Sequence, residues 1–255
     1  MQQLTHGSLF SGVGGFELGA QLAGINTIYN CEIVEYNRLI LKKHFPHTIQ
    51  YEDITTLQQP PYVDIISGGF PCQDISVANS HNKNKVNGKA KGINGERSGL
   101  WAEMFRIIRQ TMPQYAIIEN SSMLTIRGLE RVITDLSQIG YCLEWQCLQA
   151  KQFGYNHKRE RLYGIAYPQQ KRCSNNATVF RWLQKIHTKR PPRKNPLPFT
   201  VSRINGNTSD ELLRMDDGFF AELDKRRIEA MGNAVVPEIT NYLFECIKQH
   251  HALAL

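Results

Sequence analysis

No apolar run in this chain approaches the ~20 residues needed to cross a membrane, and the opening MQQLTHGSLF lacks the charged-then-apolar profile of a secretion signal. A soluble, cytoplasmic protein without a membrane partner is the expectation. The six cysteines, at 31, 72, 142, 147, 173 and 246, contain no CxxC pair and no even-spaced framework. That argues against structural zinc and disulfides and suits a reducing compartment where a free thiol survives. No metal is implied, and no segment repeats internally. Acid is nearly missing from one stretch: over residues 151–200, twelve Lys and Arg stand against the single Glu160. The net charge is +7, so with +11 in this segment the remaining 205 residues carry −4. A polyanion is the simplest partner for such a segment.

What is present suffices for a sizeable core: 255 residues, 41% of them hydrophobic. Residues 4–10 read as a strand ending in Ser11-Gly12-Val13-Gly14-Gly15, and residues 16–22 have helical spacing. Strand, glycine turn and helix make the nucleotide cradle of a doubly wound fold. Residues 27–31 are a second strand with Glu32 at its end, where an acid takes ribose hydroxyls. Helix follows over 35–44, and Asp53 falls at another strand end. Residues 62–67 (YVDIIS) read as a buried strand broken by Gly68-Gly69-Phe70-Pro71, which leaves Cys72 at its carboxyl end. Taken alone, Cys72 is either a small packed hydrophobe or a thiol placed where an open α/β sheet does chemistry.

Residues 79–99 are rich in Gly, Asn and Lys and read as a long basic binding loop carrying Lys83, Lys85, Lys89, Lys91 and Arg97. Helix is expected over 100–111, strand over 115–118 ending in Glu119-Asn120, helix over 124–139, paired strands over 140–150 and 161–167, and helix from Pro237 to about 249. This regular βα punctuation predicts one α/β domain. From 168 onward prolines and basic residues break the pattern, which predicts a small irregular second unit. The expected division is 1–167 plus 226–255 for the large domain and 168–225 for the small one. A thiol, a carboxylate and a cofactor cradle at neighbouring strand ends, beside a basic groove, suit chemistry on a nucleic acid base.

The ordered series SLFSGVGGFELG, CEI, EDI, GGFPCQDIS, ERSGLW, IIEN, HKRERLYGIAY and MGNAVVP resembles the cytosine-5 DNA methyltransferase family over residues 4–167 and 226–250. The resemblance implies a Rossmann-like large domain that binds S-adenosylmethionine, leaving S-adenosylhomocysteine as product. It also implies a small target-recognition domain and a cytosine flipped out of duplex DNA. By that similarity Phe10 packs on adenine, and Ser11, Gly12, Gly14 and Gly15 shape the turn under the methionine part. Glu32 holds the ribose, Ile33 covers the adenine, Asp53 and Ile54 read its amino edge, and Leu100 and Asn233 complete the cofactor wall.

The same resemblance makes Cys72 the nucleophile at cytosine C6, with Glu119 on the N3 and N4 edge. Arg161 would hold O2, and Arg159 would support the thiol and a phosphate. The expected product is 5-methylcytosine. The expected partner is double-stranded DNA, with a cognate restriction endonuclease if the chain belongs to a restriction-modification system; a phage-borne enzyme and one acting alone stay open, and a monomer is expected. A tRNA cytosine-5 methyltransferase and a catalytically inactive DNA-binding module are the alternatives. Two residues depart from the family: Ser121 where ENV is usual, and His157 where Gln usually precedes the Lys-Arg. In the small unit charge alone nominates Arg181, Lys185, Arg190, Arg193 and Lys194, and such residues contact phosphate more often than bases. If the basic segments line a duplex, affinity falls steeply with salt, by roughly one log–log unit per phosphate contacted. Fluorescence anisotropy across a salt series measures this, and a flat response counts against the groove.

Overall fold

The computed structural model describes residues 3–71, 85–86, 89–90, 99–171, 179–180 and 234–253. Cys72, Lys83, Lys91, Arg97, Arg181, Lys185, Arg190, Arg193, Lys194 and Asn233 lie outside the described residues, and Lys85 and Lys89 are described in backbone only. The strands are β1 (Thr5–Leu9), β2 (Asn26–Cys31), β3 (Ile49–Tyr51), β4 (Ile65–Gly68), β5 (Lys85–Val86), β6 (Lys89–Ala90), β7 (Tyr115–Ser121), β8 (Tyr141–Gln149) and β9 (Glu160–Pro168). The helices are α1 (Gly15–Leu22), α2 (Glu35–His44), α3 (Leu100–Thr111), α4 (Leu124–Arg127), α5 (Leu129–Gln138) and α6 (Pro237–Leu253). None of these helices is long and apolar enough to span a membrane.

Seven strands form one sheet in the order β3-β2-β1-β4-β7-β9-β8, while β5 and β6 pair with each other. From β3 to β7 all neighbours are parallel. β9 runs antiparallel to both β7 and β8. The chain winds outward from β1 through β2 and β3, then returns to β4 on the opposite side. The order therefore reverses between β1 and β4, and ligands of doubly wound sheets sit in the crevice at that reversal.

The strands carry the residues a doubly covered sheet needs. β4 and β7 are buried along their whole length, and continuous apolar runs mark central parallel strands with helices on both faces. Alternation assigns the faces. Ile65, Tyr115 and Ile117 join Phe16, Ala20, Leu243, Phe244 and Ile247 in one core. Ile66, Ala116 and Ile118 join Trp101, Met104, Ile107, Val132 and Leu136 in the other. Thus α1 and α6 cover one face, and α3 and α5 cover the other.

Three boundaries differ from the sequence expectation. The helix expected over 124–139 divides at Gly128, whose φ of 161° is extended and incompatible with a helix. β7 continues to Ser121, so Glu119 lies within the strand, held by β9 alongside it. β4 starts at Ile65 because the Asp64 carboxylate is taken up in fastening the strand entry, accepting from Thr5 N at 2.9 Å, Thr5 Oγ1 at 2.8 Å and Gln114 Nε2 at 2.6 Å.

Helix α6 returns to α1 at very close range. The Thr240 hydroxyl donates to the Gly15 carbonyl at 2.9 Å, and Lys248 Nζ donates to the Ala23 carbonyl at 2.7 Å. A Cβ at Gly19 would sit 2.0 Å from Thr240 Oγ1 and 2.8 Å from Asn241 N. Gly19→Ala therefore forces the helices apart and costs about 1–3 kcal/mol, the usual range for overpacking. Thermal denaturation is expected to show the loss as a lower Tm, and an unchanged Tm would contradict this packing.

Candidate active site and cofactor crevice

Register brings the candidate groups to one edge. Leu9 pairs with Cys31 and with Gly68, and Gly68 pairs with Ile118. The next residues along, Phe10-Ser11, Glu32, Gly69 and Glu119, therefore stand side by side at the carboxyl edge of the sheet.

Left-handed backbone forms the turn after β1, with φ of 54° at Phe10, 57° at Gly12 and 94° at Gly14. Glycine adopts such values without steric cost. The turn is tied to β2: Ser11 N donates to the Cys31 carbonyl at 3.0 Å, and Gly12 N donates to Glu32 Oε2 at 2.6 Å. The other Glu32 oxygen accepts from Val34 N at 2.8 Å. Burial raises the Glu32 pKa, opposed by these backbone hydrogen bonds, the Asn37 side chain and the Arg38 charge. A Cβ at Gly12 would meet nothing within 4 Å, so the space over the turn is open. Gly15 serves packing, since its Cβ would lie 2.4 Å from the Val235 carbonyl oxygen.

The remaining cofactor candidates lie beside this crevice in differing states. Ile33 is 69% exposed, an apolar side chain presented to solvent at the end of β2. Asp53 caps its own turn, with Oδ1 accepting from Thr55 N at 2.9 Å and Thr55 Oγ1 at 2.8 Å. Ile54 is buried and its carbonyl accepts from Arg106 Nη2 at 2.8 Å. Leu100 opens α3, half-buried against the second core.

On the other side of the reversal, Glu119 is buried, with its Oε1 3.3 Å from Arg161 Nε. Burial raises its pKa, and the Arg161 and Arg159 charges oppose that rise. The group is thus a carboxyl biased toward its protonated form, with guanidinium groups at hand to steady the anion. Gly69 makes the arrangement possible, because a Cβ there would lie 2.7 Å from Glu119 Oε2. Asn120 fixes the adjoining turn: its Nδ2 donates to the Phe70 carbonyl at 2.9 Å, and its Oδ1 accepts from Ser121 N at 2.8 Å. The peptide leading into Pro71-Cys72 is therefore pinned to β7.

The two family departures also lie in this region. Ser121 pairs across the sheet with Arg161, and its hydroxyl accepts from Met123 N at 3.4 Å. The His157 ring lies 5.6 Å from that of Tyr155, tilted by 53°, and partial burial together with Arg159 lowers its pKa. Sequence reasoning assigned no role to Asn120 and did not mention Glu17, a fully buried acid on α1. The available signal for Glu17 was its place on the inward face among Gly15, Phe16, Gly19 and Ala20, all of them buried.

A doubly wound sheet with a glycine turn at its reversal point, and a buried acid paired with a guanidinium alongside, matches a Rossmann-like methyltransferase fold. The chain belongs to the C-5 cytosine-specific DNA methylase family, whose pattern it matches over residues 4–219. It is 34% identical over 167 residues to a type II methyltransferase, M2.BsuMI, of Bacillus subtilis, covering 62% of this chain and 41% of that protein. It is 32% identical over 184 residues to the type II methyltransferase M.CviJI of Paramecium bursaria Chlorella virus IL3A, covering 68% and 47%. The chain thus spans less than half the length of these relatives. Among solved structures, the Entamoeba histolytica methyltransferase EhMeth superposes with a TM-score of 0.62 at 16% identity over 98% of this chain and 99% of that one, a likeness of fold.

The Arg161 charge is the largest force opposing the upward shift at Glu119. Arg161→Ala is expected to move the Glu119 titration to still higher pH, and Arg161→Lys to restore most of it. Difference infrared spectroscopy of the carboxyl band, with Glu119→Gln to assign it, reads the change; an unmoved midpoint would contradict the pairing.

Proposed function

We propose that this chain transfers a methyl group from S-adenosylmethionine to C5 of a cytosine flipped out of DNA, through a covalent bond between Cys72 and cytosine C6. The observation that carries the proposal is the ion pair of buried Glu119 on β7 with partly buried Arg161 on β9, Glu119 packing against Gly69, which stands three residues before Cys72 in sequence. Family membership supports it.

The crevice suits the cofactor. The space over Gly12 is open, and Glu32, already accepting two backbone hydrogen bonds, offers carboxylate oxygens at the place where ribose hydroxyls bind. Ser11 and Gly14 would line the methionine side, with Phe10, Ile33, Asp53 and Ile54 around the adenine and Leu100 and Asn233 completing the wall. When bound, the cofactor supplies an electrophilic methyl on a positively charged sulfur.

The chain's own residues act on the base. Cytosine C5 is a poor nucleophile until a thiolate adds at C6 and pushes electron density toward C5 and N3. Glu119 would hydrogen-bond the N3 and N4 edge and deliver a proton at N3 as negative charge builds there. Arg161 would hold O2, and Arg159 would favour the Cys72 thiolate. After C5 takes the methyl, loss of the C5 proton to a water-borne base expels the Cys72 thiolate and restores the aromatic ring. Lysines 83, 85, 89 and 91 with Arg97, and Arg181, Lys185, Arg190, Arg193 and Lys194, would meet phosphates.

Cys72→Ala is expected to abolish methyl transfer to duplex DNA. The wild-type chain is expected to form a denaturation-resistant adduct with 5-fluorocytosine DNA, because fluorine replaces the proton that must leave. Methylation of ordinary DNA without an adduct would remove Cys72 from the mechanism. Label transferred to tRNA and not to duplex DNA would replace DNA with RNA as the substrate. Methylome sequencing of an expressing host identifies the target site.

A further inference from the structure

Glu17 stands apart from the other buried acids. It is the third residue after Gly14 on α1 and fully buried; neither carboxylate oxygen is in a well-formed hydrogen bond or paired with a cation, and only the Ser11 and Ser8 hydroxyls and its own backbone N–H lie near enough to favour the anion. Glu32 is matched by two backbone N–H groups, Glu119 by Arg161, and Asp135 by Trp101 and Arg131. Among the described residues no other acid has both oxygens buried and unsatisfied. An isolated buried carboxylate is costly and persists where something repays it.

Its surroundings point toward the cofactor turn. The polar groups acting on Glu17 are the Ser11 hydroxyl in the turn, the Ser8 hydroxyl on β1 and the Glu32 carboxylate at the end of β2. Ser11 and Ser8 are themselves linked, Oγ to Oγ, at 3.0 Å. From α6 the uncharged Thr240 approaches this helix, its hydroxyl already bonded to the Gly15 carbonyl. His6 on β1 stays neutral, its pKa lowered to about 3 by burial, and bonds Thr27 and Ser67. No cation in the described residues balances Glu17.

We propose that Glu17 is a buried counter-charge for the positive methionine end of the cofactor, acting through the Ser8 and Ser11 hydroxyls, and that it favours the sulfonium substrate over the neutral thioether product. The inference rests on the reading that the crevice takes S-adenosylmethionine. Substrate and product share the adenosine, the carboxylate and the ammonium group; they differ by the methyl and its unit of positive charge. A carboxylate in a water-poor site acts on that difference. Methyl transfer thus erases the charge that Glu17 holds, and release of the product becomes easier.

The sign of the pH dependence follows. Burial raises the Glu17 pKa to about 7, opposed by the two serines and reinforced by Glu32. Below that value Glu17 is neutral and indifferent to the sulfonium. As pH rises through it, the carboxylate forms and strengthens substrate binding more than product binding, since the ammonium is common to both and the sulfonium is not. Substrate binding near neutrality therefore releases protons. Glu32 meets the ribose common to both ligands, so its titration cancels in their affinity ratio.

Calorimetric titration of the full chain with S-adenosylmethionine and with S-adenosylhomocysteine, from about pH 6 to about pH 8, tests this. The wild-type affinity ratio is expected to rise about five- to sixfold over this range, most of the tenfold limit set by a one-unit difference in Glu17 pKa between the two complexes. In Glu17→Gln the ratio is expected to be flat. A flat wild-type ratio with both ligands bound, or the same rise in Glu17→Gln, overturns the role of Glu17 alone. Binding of neither ligand by wild type overturns the cofactor reading and this inference together. Wild type in buffers of different ionisation enthalpy gives a check independent of the variant: more proton release with the substrate than with the product supports the inference, and equal release overturns it.

Discussion

Two glycines on one helix set the geometry of this domain. Gly15 and Gly19 remove the side chains that would hold α6 away from α1, and the Thr240 hydroxyl then reaches the Gly15 carbonyl. With α6 at that distance, Leu243, Phe244 and Ile247 close the core over one sheet face. α1 in turn carries the glycine turn at its amino end, and that turn is bonded to the acid ending β2. The position of the crevice at the glycine turn thus depends on a contact between two helices.

Three buried acids, Glu32 after β2, Glu119 on β7 and Glu17 on α1, stand in three electrostatic conditions. Glu32 is steadied by backbone N–H groups, Glu119 by a guanidinium, and Glu17 by nothing charged. Burial raises the pKa of all three. The difference lies in what compensates each, and it separates a group suited to accept hydroxyls, one suited to give a proton and one responsive to a passing cation. A single domain can therefore hold buried carboxyls in unlike states.

Much of this was legible in the order of residues. Apolar runs ending in glycine or acid marked β1, β2, β4 and β7, because a strand buried on both faces leaves a continuous hydrophobic signature. Motif order, more than any one motif, identified the family. The alternation in residues 140–167 showed a strand pair but not that β9 inserts between β7 and β8, which is decided by long-range pairing. Gly19 reads as an ordinary helical glycine until Thr240 is seen against it. Glu17 reads as a solvated acid because its neighbours Ser8 and Ser11 meet it only after the turn folds back. Asn120 looked like a motif letter, and only the Phe70 carbonyl explains why an amide is needed there. Gly128 divides a pattern that remains helical in periodicity on both sides.

The α1–α6 contact joins groups 225 residues apart in sequence. Closing so long a loop carries an entropic cost that must be met before the contact returns anything, and such pairings form late. Strands β1 to β7 can find one another over far shorter separations. During synthesis the glycine face of α1 therefore waits bare while most of the sheet assembles beneath it. An apolar surface left open for that interval is where a chaperone would grip and where two nascent chains would stick together. Among the described elements, the helix that closes this face is the last to be made.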